Sequence, residues 1–310
     1  MRNAKKSEID ITKLKALDNS ITVTVGTGGN FSTITQAINY LMEYRPTKVG
    51  VKVTIQLMAG FVMKEQVLLR NGDYSWIQID SVDTEVVIDR TYIQTAMASD
   101  VTSSISAFYF IDRCIAPRIN VLFSMNTLGA SAGQGGCLLM QNSNGIILPN
   151  KGFKDCPGTN AAVIVNSTLL ARNCVFTSFV SPSGSGVSIS ASSSADVSGS
   201  NMSHNSVGLD VQTGSSANAE NITSSGNTNY GILAASNSTV NAPNASLLYN
   251  GAYGIIANYA SRVNAHGSTT ANSGTFGFIV TTGATINASS STGTKNIAVN
   301  TVTANGIIFA

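Results

Sequence analysis

Apolar positions between Gly186 and Phe309 recur with one long, fixed period. A glycine opens each unit: GVSI at Gly186, GLDV at Gly208, GILA at Gly231, GIIA at Gly254 and GFIV at Gly277. The spacings are 22, 23, 23 and 23 residues. A second signal follows inside each unit: SSSADV, GSSANA, NSTVNA, ASRVNA and GATINA. A fixed period of this size marks a solenoid. Helix formers are scarce, and Ser, Thr, Asn, Gly, Val and Ile dominate. Short alternating runs bounded by Gly, Asn and Ser read as strands and turns. The pattern predicts an all-β solenoid, a right-handed single-stranded parallel β-helix of about ten coils, each holding three short strands and three bends.

Alternation assigns the columns. Val187, Leu209, Ile232, Ile255 and Phe278 face in, as do Ile189, Val211, Ala234, Ala257 and Val280. In the second strand Ala195, Ala217, Val240, Val263 and Ile286 face in, followed by Val197, Ala219, Ala242, Ala265 and Ala288. Asp196, Asn218, Asn241, Asn264 and Asn287 lie between them and read as an outer ladder of hydrogen-bonding side chains. Tyr230, Tyr253 and Phe276 precede the glycines, and Val299 follows at the same spacing. Alternation back from Ile232 places them inward, as a stack filling the bend.

The column Ser188, Asp210, Leu233, Ile256 and Ile279 faces out, yet its later members are large and apolar. If Ile307 is the next inward residue, Ile308 continues it, and Leu138 and Ile164 extend it backwards. A contiguous outer apolar stripe marks an interface. It predicts self-association through Leu233, Ile256, Ile279 and Ile308.

The earlier chain is less regular. Ile21 to Val25 alternates as a strand. Gly26, Gly28 and Gly29 form a turn, and Asn30 or Ser32 caps a helix running to Tyr44 with Phe31, Ile34, Ala37, Ile38 and Leu41 on its buried face. The glycines lack the Gly-Lys-Ser/Thr of a phosphate loop. A helix over the first coil shields its strand edges instead. Residues 1–20 form an N-terminal arm or docking segment, or a frayed lead. Residues 21–48 form the strand and capping helix, 49–185 the irregular coils, and 186–310 the regular coils with the oligomerisation region.

Composition narrows the function classes. Charged residues make up 11 % and the net charge is +2, which does not supply a nucleic-acid footprint. No run is apolar enough to span a membrane, and Met1 to Leu17 does not read as a signal peptide. Cys114, Cys137, Cys156 and Cys174 read as buried free thiols on neighbouring rungs. His204 and His266 lie too far apart to complete a metal set with them, so no metal or cofactor is expected.

The stretches ITVTVGTGGNFSTITQAINYL and VTIQLMAGFVMKEQVLL, with the closing NGIIFA, resemble phage and prophage tail proteins of the pectin-lyase-like right-handed β-helix class. The resemblance spans residues 21–310. It implies a tailspike-type homotrimer with parallel axes, made in the host cytoplasm and placed in the virion tail. Its implied partners are other tail proteins and bacterial surface polysaccharide, which many members hydrolyse or eliminate.

Hydrolysis needs two carboxylates about 5 to 9.5 Å apart across the scissile bond. Asp73, Asp80, Asp83 and Glu85 cluster early, and Asp196 and Asp210 are the aspartates of the regular coils, close enough in sequence to meet across neighbouring coils. These six are the catalytic candidates. The Asn-Thr-Asp and Gly-His-Gly motifs of plant-type pectin hydrolases are absent. Tyr92, Tyr109, Tyr249 and Tyr259 are the candidate ligand-binding aromatics. Two readings follow: a structural and receptor-binding tail protein, or a polysaccharide depolymerase. An ice-binding solenoid is disfavoured because Arg262 interrupts the column between Thr239 and Thr285.

Overall fold

The computed structural model describes residues 14–89, 106–125, 136–156, 160–177, 184–293 and 306–309. The chain winds into a parallel β-helix with three sheets. One sheet has twelve strands, from Ile21–Val25 to Ile307–Phe309. The second has nine, from Val67–Arg70 to Phe276–Val280. The third has five regular strands and continues as single bridges from Val175 through Asn201, Thr223, Ser246 and Thr269 to Thr292. Twelve rungs at ~4.8 Å make a stack roughly 50 Å long.

The predicted inward columns hold. Val187, Leu209, Ile232, Ile255 and Phe278 are in register and fully buried, and so are Ile189, Val211, Ala234, Ala257 and Val280. Burying these columns against the neighbouring coils is the main stabilising term, at about 25 cal/mol per Å² of apolar surface. The bends carry buried polar ladders. At one corner Asn205 N–H donates to Asn227 Oδ1 at 2.8 Å, and Asn227 Nδ2 donates to Asn250 Oδ1 at 2.9 Å. At another, Ser143 N–H donates to Ser167 Oγ and Ser167 N–H to Ser193 Oγ, at 2.9 and 3.0 Å. The contacts from Asn205, Ser143 and Ser167 N–H satisfy backbone groups that the turns take out of the sheets.

The N-terminal cap differs from its sequence reading. The helix is short, Ile34–Leu41, and Thr33 caps it by accepting from Gln36 N–H. Glu65, from a coil below, completes the cap through Ile34 and Thr35 N–H. Tyr44–Pro46 is a strand and pairs in parallel with Lys15–Leu17, so the described end of the arm is neither helical nor frayed.

Three column assignments change. The Tyr230, Tyr253 and Phe276 rings are half-exposed rather than core. Alternation breaks because Gly231 and Ile232 are both buried. A Cβ on Gly231 would sit 2.6 Å from Gly254 O and 2.9 Å from the Leu247 side chain. The glycine must therefore face in, which turns the preceding aromatic out. The rings stack on one another, 5.5 and 6.3 Å apart and within 8° of parallel. Val299 lies outside the described residues.

Ile308 does not continue the outer stripe. It pairs with Ile286 in the twelve-stranded sheet and packs on the core, because Ile307–Phe309 joins that sheet and not the nine-stranded one. Leu138 and Ile164 are buried, one residue out of register with the stripe. The column instead runs back through Val163, Leu139 and Tyr109 to Leu68. Of its regular members, Leu233 and Ile256 are half-exposed and Ile279 is buried. Among the cysteines, Cys137 and Cys156 form a disulfide, a correction to the free-thiol expectation; Cys114 and Cys174 remain free and buried.

Candidate functional site

The corner between the nine- and twelve-stranded sheets repeats one backbone conformation. Asn71, Asp112, Asn142, Asn166, Ala191, Thr213, Ser236, Tyr259 and Thr282 occupy one register column, each with φ between 45° and 57°. Asn and Asp tolerate this left-handed region because their short side chains hydrogen-bond locally. Each rung is tied to the next through the backbone. Asn71 N–H donates to Asp112 O at 3.1 Å, Arg113 N–H to Asn142 O at 2.7 Å, and Asn142 N–H to Val165 O at 3.1 Å.

The first part of this corner lines a polar groove of about 940 Å³. Its walls are Asn71, Asp112, Arg113, Asn142, Asn144, Asn166, Thr168 and Ser192, with the exposed Ile115 among them and Ser143 and Ser167 beneath. Asn166 Nδ2 donates to Asn142 Oδ1, which orients both amides. Neither the Asp112 nor the Arg113 side chain has a hydrogen bond or ion pair among the described residues, and both are exposed. Two adjacent charges left to solvent in a trough of amides and hydroxyls can take polar, hydroxyl-rich ligands.

A second, shallow depression of about 430 Å³ shares Thr168 with the groove and runs onto the twelve-stranded sheet. There the predicted asparagine ladder is present. Asn218 donates to Asp196, Asn241 to Asn218, Asn264 to Asn241 and Asn287 to Asn264, at 3.3, 3.1, 2.9 and 3.0 Å. Beside it runs the outer column Ser194, Ser216, Thr239, Arg262 and Thr285.

The structure does not gather the six candidate carboxylates into one site. Asp73 accepts from Ser75 N–H at 2.9 Å and rims a separate cleft with Trp76 and Tyr44. Asp80 accepts from Gln78 and Asn120 at 3.1 and 2.9 Å. Asp83 accepts from Gly60 N–H at 2.7 Å, and Glu85 pairs with Lys154 at 2.6 Å. Asp196 pairs with Arg172 at 2.6 Å. Burial alone would raise the Asp196 carboxyl, but hydrogen bonds from Arg172 and Ser198 outweigh it and hold it below the usual range. Asp210 sits on the nine-stranded sheet, not the sheet of Asp196, and both its oxygens accept from Gln212 Nε2 at 2.8 and 2.9 Å. The expected approach of Asp196 and Asp210 is therefore absent, because their strands belong to different faces of the coil.

The aromatics separate as well. Tyr109 is buried in a side cluster with Ile111, Leu68 and Leu139, and its hydroxyl donates to Gln141. Tyr249 and Tyr259 are exposed, on different corners. Tyr92 lies outside the described residues. The groove residues, Asp112 and Arg113 above all, were not among the sequence candidates. Their signal was an Asn or Asp directly after an apolar strand: VLLRN, FYFID, LLMQN and VIVN.

Three parallel sheets, stacked inner columns and a polar corner groove define a parallel β-helix solenoid protein. The family model for a right-handed beta helix region matches residues 135–293, just over half of the chain, and the chain belongs to that family. No curated protein matches the sequence. Among the described residues, no helix is long and apolar enough to cross a membrane.

Proposed function

We propose that this chain is a tailspike-like phage tail protein that binds bacterial surface polysaccharide in the corner groove. The observation carrying this reading is the groove itself: about 940 Å³, lined mainly by amides and hydroxyls, with the Asp112 and Arg113 side chains unpaired among the described residues. Sugar hydroxyls are recognised by such groups, and ligand sites are concave with a few convergent polar side chains. In this reading the protein works in the virion tail, beside other tail proteins. A homotrimer packs through the outer column of the nine-stranded sheet, where Leu233 and Ile256 leave apolar surface half-exposed.

Binding is favoured over cleavage by the carboxylate count. The two-carboxylate hydrolytic mechanism needs a facing pair, and the described lining of the groove holds one, Asp112. The second reading, a depolymerase acting on capsule or O-antigen, requires another carboxylate to reach it.

The test is incubation with a panel of capsular and O-antigen polysaccharides. Binding is read by biolayer interferometry, and cleavage by reducing-end release and absorbance of unsaturated uronates. The expected result is binding without product, weakened by Arg113→Ala and Asn142→Ala. Product that disappears with Asp112→Asn would establish the enzyme reading instead. Absence of binding across the panel would remove the glycan reading.

A further inference from the structure

We infer that Tyr259 is the far subsite of the same groove, a stacking platform that makes the site specific for long, linear glycan chains laid along the corner. This rests on the glycan reading of the groove. Tyr259 belongs to the register column of Asn71, Asp112, Asn142 and Asn166. Its φ of 49° matches their 45° to 56°. Residues with the same register and the same backbone conformation project their Cβ atoms in the same direction. Tyr259 therefore leaves the corner on the side where Asp112, Asn142 and Asn166 line the groove.

Among the described residues of this corner, nothing bulky stands between them. The intervening column members are Ala191, Thr213 and Ser236, and the adjacent positions Ser192, Gly214 and Asn237 are all exposed. A Cβ on Gly214 would meet only Ser192 Oγ, at 3.7 Å. The trough thus continues as a shallow path for three rungs past Ala191, roughly 14 Å, to Tyr259; from Asp112 the six rungs span roughly 29 Å. The rungs are continuous: Ser192 N–H donates to Thr213 O, Gly214 N–H to Ser236 O and Asn237 N–H to Tyr259 O, at 3.0, 2.8 and 2.9 Å.

The tyrosine faces solvent. It is 59 % exposed, and its side chain has no hydrogen bond or ring contact among the described residues. The left-handed conformation is costly for a bulky side chain, and its column neighbours Ser236 and Thr282 show that a small polar residue suits the turn. A free ring at the end of a polar trough offers the flat apolar face on which a pyranose ring packs while its hydroxyls stay solvated. Tyr249 supplies an internal control. It is equally exposed, at 65 %, and also left-handed, but it stands on the corner of His204, Gly226 and Asn272, away from the groove.

The experiment uses the full chain and the bacterial polysaccharide panel, cut by partial acid hydrolysis into fragments graded from two to about ten sugars. Affinity is measured against fragment length for the wild type, Tyr259→Ala, Tyr259→Phe and Tyr249→Ala. The expected result is a gain in affinity once fragments are long enough to reach from the groove to Tyr259. Tyr259→Ala should remove that gain, roughly five- to tenfold for long fragments, and leave short ones unchanged. Tyr259→Phe should keep it, and Tyr249→Ala should match the wild type. Equal affinity at all lengths, or equal loss from both tyrosine variants, overturns the subsite while leaving groove binding intact. If no fragment binds the wild type, the glycan reading fails and the subsite with it.

Discussion

The Glu65 carboxylate accepts the backbone N–H of Ile34 at 2.6 Å and that of Thr35 at 3.1 Å, across thirty-one and thirty residues of chain. An acid from the coil body thus fills the anion-favouring end of the capping helix. The contact ties the cap to the rung of Val67–Arg70, which begins two residues after Glu65. Glu65→Ala should lower the stability of the N-terminal coils by about 1–2 kcal/mol, the usual cost of a lost cap. Hydrogen exchange should show faster opening of Ile34–Leu41 with the regular coils unaffected. Uniform exchange in both proteins would show that the cap does not depend on this contact.

Inner and outer amide ladders should differ in energetic weight. Asn227 is 1 % exposed, accepts from Asn205 N–H and donates to Asn250. Asn227→Leu leaves buried polar groups without partners, at about 1–3 kcal/mol each. Asn264, in the outer ladder, is half-exposed, and Asn264→Ala should stay within about 0.5 kcal/mol. Urea unfolding of both variants checks the contrast, and equal midpoints would contradict it.

The period of the regular coils made the fold readable, because each inner column repeats the same residue class at 22 or 23 residues. Alternation points Tyr230, Tyr253 and Phe276 inward, and it fails there because a buried glycine breaks it. GII at Gly306 looks like the units that open the nine-stranded sheet, which points Ile308 to the outer stripe, and only the pairing with Ile286 shows which sheet it joins. The groove is hidden in the sequence for a different reason. Its column members Asn71, Asp112, Asn142 and Asn166 are separated by 41, 30 and 24 residues. Long connections blur the period there, so side chains adjacent in space look unrelated in sequence. The early carboxylates cluster in sequence, yet in the fold Asp73, Asp80 and Asp83 accept hydrogen bonds from different neighbours and Glu85 pairs with Lys154.

The apolar stripe gives a test of self-association that avoids the core. Ile279 is 6 % exposed, so an aspartate there would disturb folding. Leu233 and Ile256 are half-exposed and in register. If three chains pack through this face, Leu233→Asp with Ile256→Asp should convert a trimer to monomers in multi-angle light scattering while the circular dichroism spectrum stays unchanged. A trimer that survives both aspartates would place the contact elsewhere.

Asp210 interrupts the same column between Ser188 and Leu233. Burial lifts its carboxyl to about 6, against a smaller opposing effect of the Gln212 hydrogen bonds. The folded state therefore holds a proton that the unfolded chain has already released between about pH 4 and 6. Stability rises with pH only where the unfolded state binds more protons. Here the folded state binds more, so this group's contribution is full below about pH 4 and is lost as pH rises through about 6. Asp210→Asn, uncharged throughout, should remove that dependence and raise the melting temperature at pH 7 to 8, with little change at pH 4. Thermal melts of both proteins from pH 4 to 8 provide the check. Parallel curves would show that Asp210 keeps an ordinary carboxylate environment, open to water on the outer face of the nine-stranded sheet.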